Sequence, residues 1–143
     1  MKRLQEAPLH PPGYSPHPVI HIDANLLVLL MQDYTLSNPV IAFRAKGGRC
    51  MASAMAWSEY RCGGQEGMPD EEIRLTRDML EGVIPVDELI ADRAAELFVL
   101  GGRRSRSLAD CIIAATAILA GAPLATRNRE DFLRYEPAGL QLW

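Results

Sequence analysis

Three acidic side chains stand where chemistry is to be expected. Asp23 follows the β-branched run Val19–Ile22 and precedes the apolar run Ala24–Gln32, so it joins a predicted strand to a predicted helix. An Asp there serves as an N-cap. The same place, outside the carboxyl end of a strand, is where open α/β sheets bind ligands. Both readings stand. Asp110 closes Ser107-Leu108-Ala109-Asp110, a capping-box pattern, but the helix behind it, Cys111–Ala120, is apolar on every face and therefore expected to be central and buried. A carboxylate at the mouth of such a helix loses water, and a cation offsets that cost. Glu59 lies inside a predicted helix, Ala54–Cys62, where capping cannot explain it. Its neighbours one turn away are Met55, Ala56, Cys62 and Gly63, with no basic partner, so it is expected to point inward toward a metal or a buried donor. The structural alternative is a hydrogen-bonded core glutamate.

A further polar group lies near the C-terminus, in Ala125-Thr126-Arg127-Asn128-Arg129-Glu130-Asp131-Phe132. Asn128 with Asp131 three residues on resembles a helix start. Alternatively Thr126 and Asn128 supply oxygen atoms around a cation while Asp131 adds charge. Hard divalent cations take oxygen ligands, and Mg²⁺ retains several waters. Acids gathered at strand ends repel one another, and that repulsion is the physical case for a metal. Arg103, Arg104 and Arg106 form a basic cluster just before Asp110, either a solvated loop or a set of contacts to RNA phosphates. His21 is read as structural, and Trp57 and Tyr60 as core or interface aromatics.

These residues need a scaffold, and the chain alternates strand and helix signals from Val19 onward. Strands are expected at Val19–Ile22, Cys50–Ala52, Val83–Val86 and Leu124-Ala125, with a possible edge strand at Gly139–Trp143. Helices are expected at Ala24–Gln32, from Ser37-Asn38-Pro39 to Lys46, at Ala54–Cys62, from Met68-Pro69-Asp70 to Leu80 with Gly82 as the stop, at Asp87–Leu100, at Leu108–Ala120, and as a turn at Asn128–Leu133. Strands separated by helices imply a parallel sheet covered on both faces, an α/β fold. The 143 residues suit one domain over 19–143, preceded by a Pro-rich flexible leader over 1–18. No apolar stretch is long enough for a spanning helix, and the first residues lack the apolar core of a signal peptide. Cys50, Cys62 and Cys111 sit in hydrophobic segments and read as reduced, buried thiols of a cytoplasmic protein. A protein that coats nucleic acid by broad phosphate neutralisation is normally basic, so at a net charge of −3 any contact with RNA must be local.

The order of these motifs resembles the PIN-domain family, in particular the VapC-type toxins of bacterial toxin–antitoxin pairs. The likeness runs from about Val19 to the C-terminus. It rests on Ile22-Asp23-Ala24-Asn25, Trp57-Ser58-Glu59-Tyr60, the buried helix opened by Ala109-Asp110-Cys111, and Leu124 to Phe132. The resemblance implies a three-layer sandwich and cleavage of single-stranded RNA with one or two Mg²⁺ or Mn²⁺ ions. It makes Asp23 and Asp110 the principal metal ligands, with Glu59 binding metal or orienting the attacking water. It also implies a homodimer and a cognate antitoxin whose tail blocks the acidic pocket. Two departures stand out: many relatives carry Asp where this chain has Asn128, and a Thr often found three residues before the helical Glu is here Ala56.

Three other classes share parts of this pattern. A receiver-type signalling domain has an acidic Mg²⁺ pocket but needs a late lysine, and no lysine follows Lys46. A haloacid-dehalogenase-like phosphatase needs a second Asp where Asn25 stands. A PIN scaffold with weak or no catalysis, acting as a binding module, is compatible with Asn128.

Overall fold

The structure, a computed structural model, describes residues 18–63, 67–103 and 108–143. Strands β1 (Val19–Ile22), β2 (Arg49–Ser53), β3 (Gly82–Ile84) and β4 (Leu124–Ala125) form a parallel sheet in the order β3-β2-β1-β4. Helices α1 (Ala24–Gln32), α2 (Pro39–Ala45), α3 (Ala54–Arg61), α4 (Asp70–Asp78), α5 (Glu88–Leu100), α6 (Leu108–Ala120) and α7 (Arg129–Leu133) cover it, followed by a 3-10 turn at Glu136–Ala138. This is the α/β architecture expected from the strand–helix alternation. The leader lies outside the described residues except for Pro18, whose carbonyl accepts from the Arg49 N–H.

The period-two alternation of strand side chains divides the interior into two cores. Ile20, Ile22, Cys50, Ala52 and Ala125 pack with Leu27, Leu30, Val40 and Tyr60 from the α1, α2 and α3 side. Leu124 lies in the other core with Leu97, Ile113, Ala114, Phe132 and Tyr135, between α5, α6 and α7. A parallel sheet buried on both faces explains why its strands carry apolar runs without polar alternation. His21 is the polar exception in β1. It is 2% exposed, burial lowers its pKa to about 4, and it is therefore neutral at pH 7. Its Nδ1 has no hydrogen-bond partner among the described residues.

The strand order sets the position of the site. The chain steps outward from β1 to β2 to β3, then returns to lay β4 on the opposite side of β1. The connections leaving β1 and β4 thus diverge, and the crevice between their carboxyl ends is a topological switch point. Local chemistry fixes where several helices begin. Asn38 Oδ1 accepts from the Val40 N–H at 3.0 Å ahead of Pro39, Ser53 Oγ accepts from Met55 N–H at 3.1 Å, and Asp87 Oδ1 accepts from Ile90 N–H at 2.9 Å. Helix α4 has no side-chain cap, but Asp70, Glu71 and Glu72 fill its first turn, where the helix dipole favours negative charge.

Several expectations are corrected. Gly82 is not a helix stop but the first residue of β3, paired with Met51, and a Cβ there would crowd the Met51 side chain. Pro85 lacks an N–H to continue the ladder, so β3 ends at Ile84 rather than Val86. The C-terminal edge strand is reduced to one parallel bridge, Leu142 to Leu124, because β4 is only two residues long. Helix α6 is buried through Cys111–Ala117, yet Leu108 and Leu119 are exposed, so it is not covered on every face. Cys62 is exposed because it is the C-cap of α3 and has left the packed face, whereas Cys50 and Cys111 are buried.

Candidate active site

Asp23 occupies both roles offered by its position. It is the N-cap of α1, with Oδ1 accepting from the Ala24 N–H at 2.8 Å. Its Oδ2 accepts from the Thr126 hydroxyl at 2.7 Å, across the crevice between β1 and β4. The Asp23 N–H donates to the Ala125 carbonyl at 3.0 Å, so the backbone pairing continues to the carboxylate itself. Asp23 is 4% exposed and Thr126 8%. Thr126 Oγ1 also accepts from the Asn128 N–H at 3.0 Å, which orients its single proton toward Asp23. Asn25 Oδ1 reaches the same loop, accepting from the Arg127 N–H at 3.4 Å.

Glu59 and Asp110 face this anchored pair from α3 and α6. No hydrogen bond holds either carboxylate among the described residues. Burial raises the Asp110 pKa to about 6, and the charges of Asp23, Glu59 and Asp131 add to that, with Arg134 acting the other way. Burial followed by the Asp23 charge raises Glu59, and burial dominates at Asp23, where the Thr126 and Ala24 hydrogen bonds oppose it and Asp131 reinforces it. Asp110 thus senses Asp23, Glu59 and Asp131, Glu59 senses Asp23, and Asp23 senses Asp131.

The expectation that Glu59 points into the core is corrected: it is exposed. The buried positions of α3 are Ala56 and Tyr60, and Tyr60 anchors the helix through its hydroxyl, which donates to Thr76 Oγ1 at 2.9 Å. Glu59, three residues from Ala56, falls at the border of that face, open to solvent, while its carboxyl remains shielded enough to be shifted. Asn128 is the N-cap of α7 by position, but its side chain makes no cap bond and is exposed. Asn128 and Asp131 line a polar cavity of about 330 Å³. Arg103 is exposed with a φ of 61°, while Arg104, Arg106 and the cap at Ser107 lie outside the described residues. Trp57 packs against Tyr60, with ring centroids 5.3 Å apart.

The donor set is all oxygen: carboxylates of Asp23, Glu59, Asp110 and Asp131, the Thr126 hydroxyl and the Asn128 amide. Its hardness and excess negative charge fit Mg²⁺ or Mn²⁺. Among the described residues no group of three Asp, Glu, His or Cys side chains is arranged to hold an ion as placed. Sequence reasoning missed Arg134, the cation that moderates Asp110. Its place in the chain carried no such signal, because Arg134 comes near Asp110 only through the packing of α7 on α6.

Comparison with known proteins follows the same pattern. The PIN domain family model matches residues 20–136. A toxin–antitoxin complex from Klebsiella pneumoniae is similar in structure, with 25% identity and a TM-score of 0.59, covering 80% of this chain and 90% of that one. VapBC-1 from nontypeable Haemophilus influenzae gives 23% identity and a TM-score of 0.64 over 87% of this chain and 96% of that one. VapC20 of Mycobacterium tuberculosis, a toxin that cleaves the sarcin–ricin loop, gives 13% and 0.59 over 85% and 95%. A search of curated proteins finds no match. With most of its length matched by the family model, the chain belongs to the PIN-domain family.

Proposed function

We propose that this protein is a divalent-metal-dependent ribonuclease that cleaves unpaired RNA and serves as the toxin of a toxin–antitoxin pair. The observation that carries this reading is the raised proton affinity of Asp110. Burial first, and then the charges of Asp23, Glu59 and Asp131, raise its pKa to about 6, while Arg134 opposes them. Such a cluster costs stability unless a cation neutralises it. The toxin–antitoxin origin of the similar structures supports the biological part.

Asp23, Asp110 and Glu59 would hold the ion, with Thr126, Asn128 and Asp131 around them. A bound Mg²⁺ or Mn²⁺ lowers the pKa of a coordinated water and offsets charge developing on phosphate. The Thr126 hydrogen bond keeps the Asp23 carboxylate at a fixed angle before substrate arrives. Asp110, with a pKa of about 6, must be deprotonated to act as a ligand, and burial together with the surrounding acids makes it hold its proton at mildly acidic pH. Glu59, at the open border, either completes the ligand set or orients the attacking water. Arg103, Arg104 and Arg106 would contact flanking phosphates as directed guanidinium donors. A cognate antitoxin would cover the acidic pocket, and the toxin would form a homodimer in the cytoplasm.

The test compares wild type with Asp23→Asn and Asp110→Asn on single-stranded RNA, with Mg²⁺ or Mn²⁺ and with EDTA. Cleavage by wild type alone, abolished by EDTA, is the expected result. Equal cleavage by all three proteins would exclude this crevice as the source of activity.

A further inference from the structure

Next to the acids lies an apolar cavity of about 460 Å³, lined by Leu26, Asn38, Pro39, Val40, Ala125, Thr126, Arg129 and Trp143. Its volume is in the range of small-molecule sites, roughly 300–1,000 Å³. It shares Thr126 with the active-site crevice, where the same side chain bonds the Asp23 carboxylate at 2.7 Å. An occupant would therefore lie one side chain from the principal acid. The wall opposite is held in place by several contacts. The Trp143 N–H donates to the Leu124 carbonyl at 2.9 Å, and Arg129 Nη1 donates to the main-chain oxygen of Trp143 at 3.0 Å. Phe43 meets the indole edge-on at 5.4 Å, and a Cβ at Gly48 would collide with the Phe43 ring, so glycine there lets Phe43 seat the indole.

We propose that this cavity is a nucleobase subsite, which receives one unpaired base adjoining the cleaved phosphate and holds it through Trp143, Leu26 and Arg129. The inference rests on the ribonuclease reading above. Its chemistry follows from the lining. The Asn38 amide is spent inside the protein, donating to the Asp33 carbonyl and accepting from Val40, so the walls are apolar toward an occupant. Trp143 is 39% exposed and offers an aromatic surface, on which bases stack with little regard to sequence. The exposed Arg129 guanidinium keeps donors beyond its one hydrogen bond and suits the phosphate joined to that base. An apolar slot, an indole and a guanidinium match a base and its phosphate together. A wholly apolar peptide side chain would fill the slot without engaging the remaining Arg129 donors.

The chain has two tryptophans, so Trp57→Phe leaves Trp143 as the sole indole reporter. This variant is titrated with AMP, GMP, CMP and UMP, and with ribose 5-phosphate as the base-free control. Saturable quenching by at least one nucleotide and none by ribose 5-phosphate is expected. Leu26→Phe, which narrows the cavity at a half-buried position, should weaken that binding roughly tenfold. If Trp57→Phe does not fold, the Trp143 indole N–H resonance of the wild type gives the same reading by NMR. No response to any nucleotide, or an equal response to ribose 5-phosphate, overturns the subsite. A response only to the cognate antitoxin reassigns the cavity to a protein partner and overturns it too. The nuclease reading fails separately: quenching without metal-dependent RNA cleavage retains the subsite and removes the activity, whereas cleavage without quenching does the reverse.

Discussion

The two sides of the acidic crevice are built differently. On the β1/β4 side, Asp23 is buried, capped on one oxygen by Ala24 N–H and on the other by Thr126. On the α3/α6 side, Glu59 and Asp110 accept no hydrogen bond among the described residues and are shifted by burial and mutual repulsion. One side is fixed by hydrogen bonds, and the other only by the packing of its helices. The anchored side can be fixed because a parallel sheet holds its strand ends to the register of its backbone ladder. The other side sits on α3 and α6, which pack against each other through Ala56, while their two carboxylates accept no hydrogen bond among the described residues. On the proposed reading, one carboxylate would set the direction of a metal site and the rest would complete its charge.

Substitutions can break that contrast. Asp23→Asn or Asp110→Asn should lower metal-dependent cleavage by on the order of 10³-fold or more, measured as kcat/KM on single-stranded RNA. Glu59→Gln, at the open border, should cost about 10²-fold, with most of the loss in kcat if it orients water. Thr126→Val removes the donor to Asp23 while keeping its shape, and should weaken Mn²⁺ binding by about tenfold with the fold intact by circular dichroism. An unchanged affinity would show that the anchored side owes nothing to Thr126.

Stability gives the next effect. The folded pKa of Asp110 lies near 6, above the value of about 3.9 for an unfolded chain. The folded state therefore binds the proton more tightly, and stability falls as pH rises from about 4 to about 6, with the whole penalty present at pH 7. In EDTA at pH 7, Asp110→Asn should stabilise the protein by about 1–2 kcal/mol, allowing for solvent screening, and raise Tm by a few degrees. The difference should vanish near pH 4. A variant less stable than wild type at pH 7 would contradict the repulsion argument. Asn128→Ala is the mildest change. Its exposed side chain makes no cap bond, so stability should move by no more than about 0.5 kcal/mol and cleavage less than in Thr126→Val.

Much of this was legible from residue order. The turn at Asp23, the helix starts at Asn38 and Asp87, and the length of α5 follow from capping residues and apolar runs that act locally. The strand limits were not, because Gly82 opens β3 only in the presence of Met51 from β2, a partner distant in sequence. The inward reading of Glu59 failed for a related reason. Small neighbours one turn away describe the helix, while the direction of its buried face depends on Tyr60 reaching Thr76. Thr126 could be suspected from its place after β4, but its bond to Asp23 spans 103 residues and exists only because β4 lies beside β1. Arg134 and the cavity under Trp143 likewise depend on packing.

The central claim is that the crevice acids are a cation site, and direct titration of Mn²⁺ into the metal-free protein tests it. Calorimetry at pH 7.5 should show saturable binding in the wild type, weakening as pH falls through about 6, with the Asp110 proton competing. Asp110→Asn should bind at least about tenfold more weakly. Equal affinity in both proteins, unchanged between pH 7.5 and 5.5, would contradict the account.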